Sequence, residues 1–128
     1  MDVGTNFKDV RAIAVPVDDQ DTALAFYRDV LGFELQMDEV IGGQMRWIEV
    51  APPGASTSIA LVRSGPELPS GIDTGIRLVT TDAAADHDAL TASGVDMATE
   101  LLLWDGVPPM FSFRDPDGNM LYVSEQFA

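Results

Sequence analysis

A chain of 128 residues, 46% of them hydrophobic, has the size of one compact domain and the apolar content for a real core. The lack of cysteine excludes disulfides, thiolate metal ligands and a cysteine nucleophile, and a formal charge of −14 opposes binding to nucleic acid or to an anionic membrane face. No apolar run nears the ~18 to 20 residues of a membrane span, and the opening MDVGTNFKDV lacks a basic stretch followed by an apolar one, so a cytoplasmic protein is expected.

Residues 1 to 8 carry little pattern and read as a lead-in. Val10 to Val17 alternates as a first strand, and Pro16 suggests that one N–H there is not needed in a ladder. Asp18, Asp19 and Asp21 supply carboxylates for the start of a helix expected from Thr22 to Leu31 and stopped by Gly32. Phe33 to Val40 follows as a strand, with Phe33, Leu35 and Met37 on one face. After Gly42 and Gly43, a hairpin runs through Trp47 to Val62 around Pro53 and Gly54. Arg63 to Asp73, rich in Gly, Pro and Ser, reads as a linker.

The second half repeats the plan. Gly75 to Thr80 is a strand, Asp82 caps a helix over about Ala83 to Ser93, and Val95 to Leu102 is the next strand. Trp104 to Pro109 is irregular, and Met110 to Glu125 closes the chain as a hairpin around Asp115-Pro116-Asp117-Gly118, whose glycine takes the positive φ of such turns. Ile59 to Val62 recurs as Leu121 to Ser124, Ala12 to Val17 as Gly75 to Thr80, and Gly32 as Gly94, each at nearly the same offset. The expected architecture is α+β: one domain over 1–128, built of two βαβββ modules at about 8–64 and 72–126, each sheet with a helical face and an open face.

Alternation divides the strands between those faces. Ile13, Val15, Ile59, Leu61, Ile76, Leu78, Leu121 and Val123 should cover the helices. The other parity gives Ala12, Ala14, Ala60, Val62, Gly75, Arg77, Met120, Tyr122 and Ser124. Hairpin pairing of Glu49 with Ala60, Trp47 with Val62, Phe111 with Tyr122 and Phe113 with Met120 adds Trp47, Glu49, Phe111 and Phe113. Large aromatics beside small residues and a few charges suit a cavity wall, a second core or a dimer seam.

Ala25 to Leu35 (AFYRDVLGFEL), Phe113 to Glu125 (FRDPDGNMLYVSE) and the duplicated module together resemble the vicinal oxygen chelate superfamily, which includes glyoxalase I, fosfomycin-resistance transferases, extradiol dioxygenases and bleomycin-resistance proteins. The resemblance implies curved mixed sheets around a cavity, often across a homodimer, and a divalent metal held by one ligand from the first and fourth strand of each module. Those four places fall on Ala12, Ala60, Gly75 and Tyr122. Methyl groups offer no lone pair, so neither a metal nor another cofactor is expected.

The sequence thus points to a metal-free binder of a small aromatic or cationic molecule, such as an antibiotic or metabolite, with Ala12, Trp47, Glu49, Ala60, Arg77, Trp104, Phe111 and Tyr122 as its wall. The alternative is a glyoxalase-like lyase, isomerase or dioxygenase with atypical metal ligands, or with metal-free acid–base catalysis by Glu49 and Tyr122. Arg77 would demand a partner, either Glu49 or an anionic ligand, and in a dry cavity Glu49 would have a raised pKa and serve as a base. His87, on the polar side of its helix, reads as solvent-exposed, and Asp115 and Asp117 as turn-capping groups.

Overall fold

The computed structural model describes residues 3–127; Met1 and Asp2 of the expected lead-in, and Ala128, lie outside the described residues. The first module contains β1 (Ala12–Val17), α1 (Gln20–Ala25), β2 (Glu34–Ile41), β3 (Met45–Ala51) and β4 (Ser58–Arg63). The second contains β5 (Asp73–Thr80), α2 (Ala83–Ala92), β6 (Asp96–Met97), β7 (Met110–Arg114) and β8 (Met120–Glu125). The two sheets have the same order, β1-β4-β3-β2 and β5-β8-β7-β6, with β1 and β5 parallel to their neighbours. The duplication seen in the sequence is therefore a duplication of topology. Among the described residues no helix is long and apolar enough to cross a membrane.

The local chemistry explains the elements. The Asp19 carboxylate accepts from the Thr22 N–H at 3.0 Å and caps α1; Asp82 does the same for Ala85 at the start of α2. Pro16 sits on an edge strand, where its missing N–H breaks no ladder. The first helix does not run as a uniform α-helix to Leu31. It widens into a π-helical turn over Phe26–Val30, and Tyr27 within it is fully buried, in contact with Phe26 and Phe33. The strand expected over Val95 to Leu102 shrinks to two residues, because the Thr99 hydroxyl takes the Ser112 N–H and leaves only a bridge between Leu102 and Met110.

The core lies on the helical faces of both sheets, with Val15, Leu61, Leu121 and Val123 at its centre. Ile13, expected there, is 39% exposed at the edge of the first sheet. Three register details depart from simple alternation. A shift between Leu35 and Met37 puts Leu35 opposite Val50 and Met37 opposite Glu49, so these two residues face opposite ways. A second shift, between Asp73 and Arg77, surrounds Gly75. In the last hairpin Phe111 pairs with Val123 and Phe113 with Leu121, one residue away from the pairing expected. The cause is the turn: Asp115 N–H donates to the Asn119 carbonyl, leaving three residues between them with Gly118 at φ 81°. A one-residue slip moves both phenylalanines to the helical face.

That same turn fastens the modules together. One Asp115 carboxylate oxygen accepts from the N–H groups of Asp117 and Asn119, and the other from the Tyr27 hydroxyl at 2.8 Å and the Asn119 side-chain amide at 3.0 Å. Asn119 also donates to the Pro16 carbonyl at 2.7 Å and accepts from Gly71 and Ile72. Burial, reinforced by Asp115, pushes the Tyr27 phenol far above its ordinary pKa, so it remains a donor.

Candidate functional site

On the open face of the first sheet, Glu49 lies opposite Ala60 on one side and Met37 on the other. The residue is only 3% exposed, which demands partners for the charge. They are the Trp47 indole N–H at 2.7 Å and the Arg11 Nε at 3.1 Å, both donating to Oε2. Burial pushes the Glu49 pKa upward, but the hydrogen bonds from Trp47 and Arg11, the Arg11 charge and the Ser58 hydroxyl outweigh it and hold the carboxyl below its ordinary range. Glu49 is therefore ionised at neutral pH, opposite to the raised pKa expected of a poised base. Trp47 also borders a hollow of about 680 Å³ whose wall includes Ala14, Val62, Leu68, Arg63 and Arg46, the last paired with Asp21 and Asp38. Gln20, at the first position of α1, shapes its floor by donating to the carbonyls of Arg46 and Leu61.

The open face of the second sheet carries a different cluster. Tyr122 donates its hydroxyl proton to Asp73 at 2.6 Å, and the Arg77 guanidinium stacks over the Tyr122 ring with its carbon 4.1 Å from the centroid. Arg77 also donates to the Gly75 carbonyl at 2.9 Å. It does not pair with Glu49, whose cation is Arg11. Arg77 instead lines a 470 Å³ hollow with Ile13, Ile76 and the turn around Gly54. The hydrogen bond to Asp73 raises the Tyr122 pKa, so the phenol keeps its proton at neutral pH.

Several expected wall residues stand elsewhere. Phe111 is buried on the helical face, against Phe113 and edge-on to His87 at 5.2 Å, because of the register of β7 and β8. His87 is thereby half-buried and its ring lies 3.3 Å from the Thr99 carbonyl, not free in solvent. Trp104 is 61% exposed on the segment between β6 and β7. Arg11 and Asp73 were not foreseen. Arg11 lies in the expected strand from Val10 to Val17 with the parity of Ile13, which assigns it to the helical face, but the observed β1 begins only at Ala12, and only the need of a buried Glu49 for a cation could have pointed to it. Asp73 sits at a register shift and reads as linker.

The four family metal positions do not fit a divalent ion. Ala12 and Ala60 present methyl groups, Gly75 has no side chain, and Tyr122 is a protonated phenol engaged with Asp73. Among the described residues no group of three or more His, Cys, Asp or Glu is placed to hold a metal ion.

Residues 10–123 match the model of the Glyoxalase/Bleomycin resistance protein/Dioxygenase superfamily. The chain is 34% identical to TnmS3, an antibiotic binding protein from Streptomyces sp. CB03234, with a TM-score of 0.83 over 96% of this chain and 99% of that one. It is also 34% identical to a member of this superfamily from Sphaerobacter thermophilus DSM 20745, with a TM-score of 0.86 over 94% and 98% of the two chains. The uncharacterized protein YetH of Bacillus subtilis is 26% identical over 92% of this chain and 98% of its own.

Proposed function

The chain belongs to the Glyoxalase/Bleomycin resistance protein/Dioxygenase superfamily, and on that footing we propose that it is a metal-free binding protein that sequesters a small, partly planar molecule without covalent chemistry. The observation that carries this reading is the donor set at the four family metal positions, Ala12, Ala60, Gly75 and Tyr122, which lacks the lone pairs a catalytic ion requires. The similarity to an antibiotic binding protein supports the same ligand class. Trp47 beside the 680 Å³ hollow supplies the stacking surface, and the volume suits a drug-sized molecule. The ionised Glu49, held by Trp47 and Arg11, and the protonated Tyr122 weigh against acid–base catalysis. The proposed form is a cytoplasmic homodimer, and exposed apolar residues on and beside the open faces, Met45 and Val79 among them, support a pairing that covers these faces.

Three measurements test the reading. Elemental analysis of protein purified without chelator should find no stoichiometric divalent metal, and one equivalent would overturn the metal-free claim. A thermal-shift screen against neutral and charged aromatic antibiotics and metabolites should yield stabilising compounds that are recovered unaltered. Chemical conversion of a hit, or no hit from the whole panel, would overturn the sequestration reading. Light scattering should give twice the chain mass.

A further inference from the structure

Glu49 is an unusual recognition group because its two donors, both on Oε2, are so differently held. The carboxylate is buried and ionised, so it must always have a cationic or strongly donating partner. Trp47 is a short and half-buried donor. Arg11, the cation, is the loose member: its side chain is 74% exposed and gives the carboxylate a single contact at 3.1 Å in place of a bidentate fork. Its other guanidinium contact is to the Met37 thioether at 3.8 Å, a weak acceptor. Only the Arg11 end of the pair is open to solvent, so it is the end that another cation can replace, provided that the buried carboxylate is never left without a partner.

From this arrangement we infer that Glu49 is the receptor for a cationic group on a planar ligand, and that Arg11 is an internal stand-in which the ligand's cation displaces. This rests on the small-molecule reading above and adds to it the charge of the ligand and a built-in competitor. Trp47 joins the two halves of the site, since its ring borders the hollow while its N–H holds the carboxylate. The indole face suits a flat cation, which stacks on it while its charge turns toward Glu49. The net charge of −14 draws cations toward the protein and repels anionic competitors.

The test uses two flat dyes of matched shape, 9-aminoacridine, a cation at neutral pH, and acridine, which is neutral there. Fluorescence titrations at low ionic strength compare wild type, Arg11→Ala and Glu49→Gln, with melting curves to establish that each is folded. Wild type should prefer 9-aminoacridine by about tenfold or more. Arg11→Ala should tighten 9-aminoacridine binding about three- to fivefold, the range expected when a single weak competing contact is removed, and leave acridine unaffected. Glu49→Gln, which keeps the acceptor for Trp47, should abolish the preference. Equal affinity for the two dyes in wild type would overturn the inference. So would weaker or unchanged cation binding in Arg11→Ala, a result that stands even if Glu49→Gln does not fold. If neither dye binds any variant this inference falls, whereas the small-molecule reading falls only with the full screen.

Discussion

Replacing Tyr27 with Phe removes one oxygen atom from the centre of the fastening between modules and leaves the ring contacts with Phe26 and Phe33 intact. The lost bond is the 2.8 Å hydroxyl donation to Asp115, with both residues buried. A hydrogen bond to a charged acceptor contributes about 1.5–3 kcal/mol. The Asp115 oxygen keeps its bond from Asn119, so the expected loss is toward the lower end, about 1.5–2.5 kcal/mol. At about 2.1 cal/mol/K per residue the unfolding entropy of 128 residues is roughly 0.27 kcal/mol/K, and Tm should fall by about 6–9 °C. Urea and thermal melts followed by circular dichroism measure this directly. A loss under about 0.5 kcal/mol, with unchanged m-value, would refute the claim that this bond is a main tie across the chain.

Other substitutions separate the remaining arguments. Burial, with the charges of Asp115 and Asp18 behind it, raises the Asp117 pKa despite the N–H it accepts from Asp18. A raised folded pKa favours the protonated, folded protein at low pH and is lost as pH rises through that pKa, so Asp117→Asn should stabilise at pH 7 and lose its advantage as pH falls toward 3.8; melts across pH 3.5–7 check the sign. Gly118→Ala should cost about 1–2 kcal/mol, measured by urea unfolding, because φ is 81° there, while the added methyl group would meet Gly71 at an ordinary 3.6 Å. Phe111→Leu should cost about 1 kcal/mol by the same measurement and leave ligand affinity unchanged, whereas a wall residue would weaken binding severalfold.

Much of the fold was readable because the signals were local and repeated. The Asp19 and Asp82 caps, the glycine stops and the pairing of Glu49 with Ala60 all follow from short-range chemistry. The faces were less secure, since alternation counts residues and cannot see where a strand gains one. The extra residue at Gln36, the distortion around Gly75 and the odd-numbered turn before Asn119 each changed the count, and the last removed Phe111 from the wall. Partner choice was harder still. Glu49 and Arg77 share a parity, but charge pairing depends on distance, and Arg11 lies nearer. The π-helical turn at Phe26 had no sequence signal of its own; Tyr27 occupies the core whether the helix is regular or widened.

The Asp-Pro-Asp-Gly-Asn turn belongs to the second repeat, while the carbonyl and phenol it grips, from Pro16 and Tyr27, belong to the first. The corresponding turn of the first repeat, Pro53-Gly54, has no such residues to return the favour. The two copies have thus become buckle and strap. Neither half cut free would keep these polar groups satisfied.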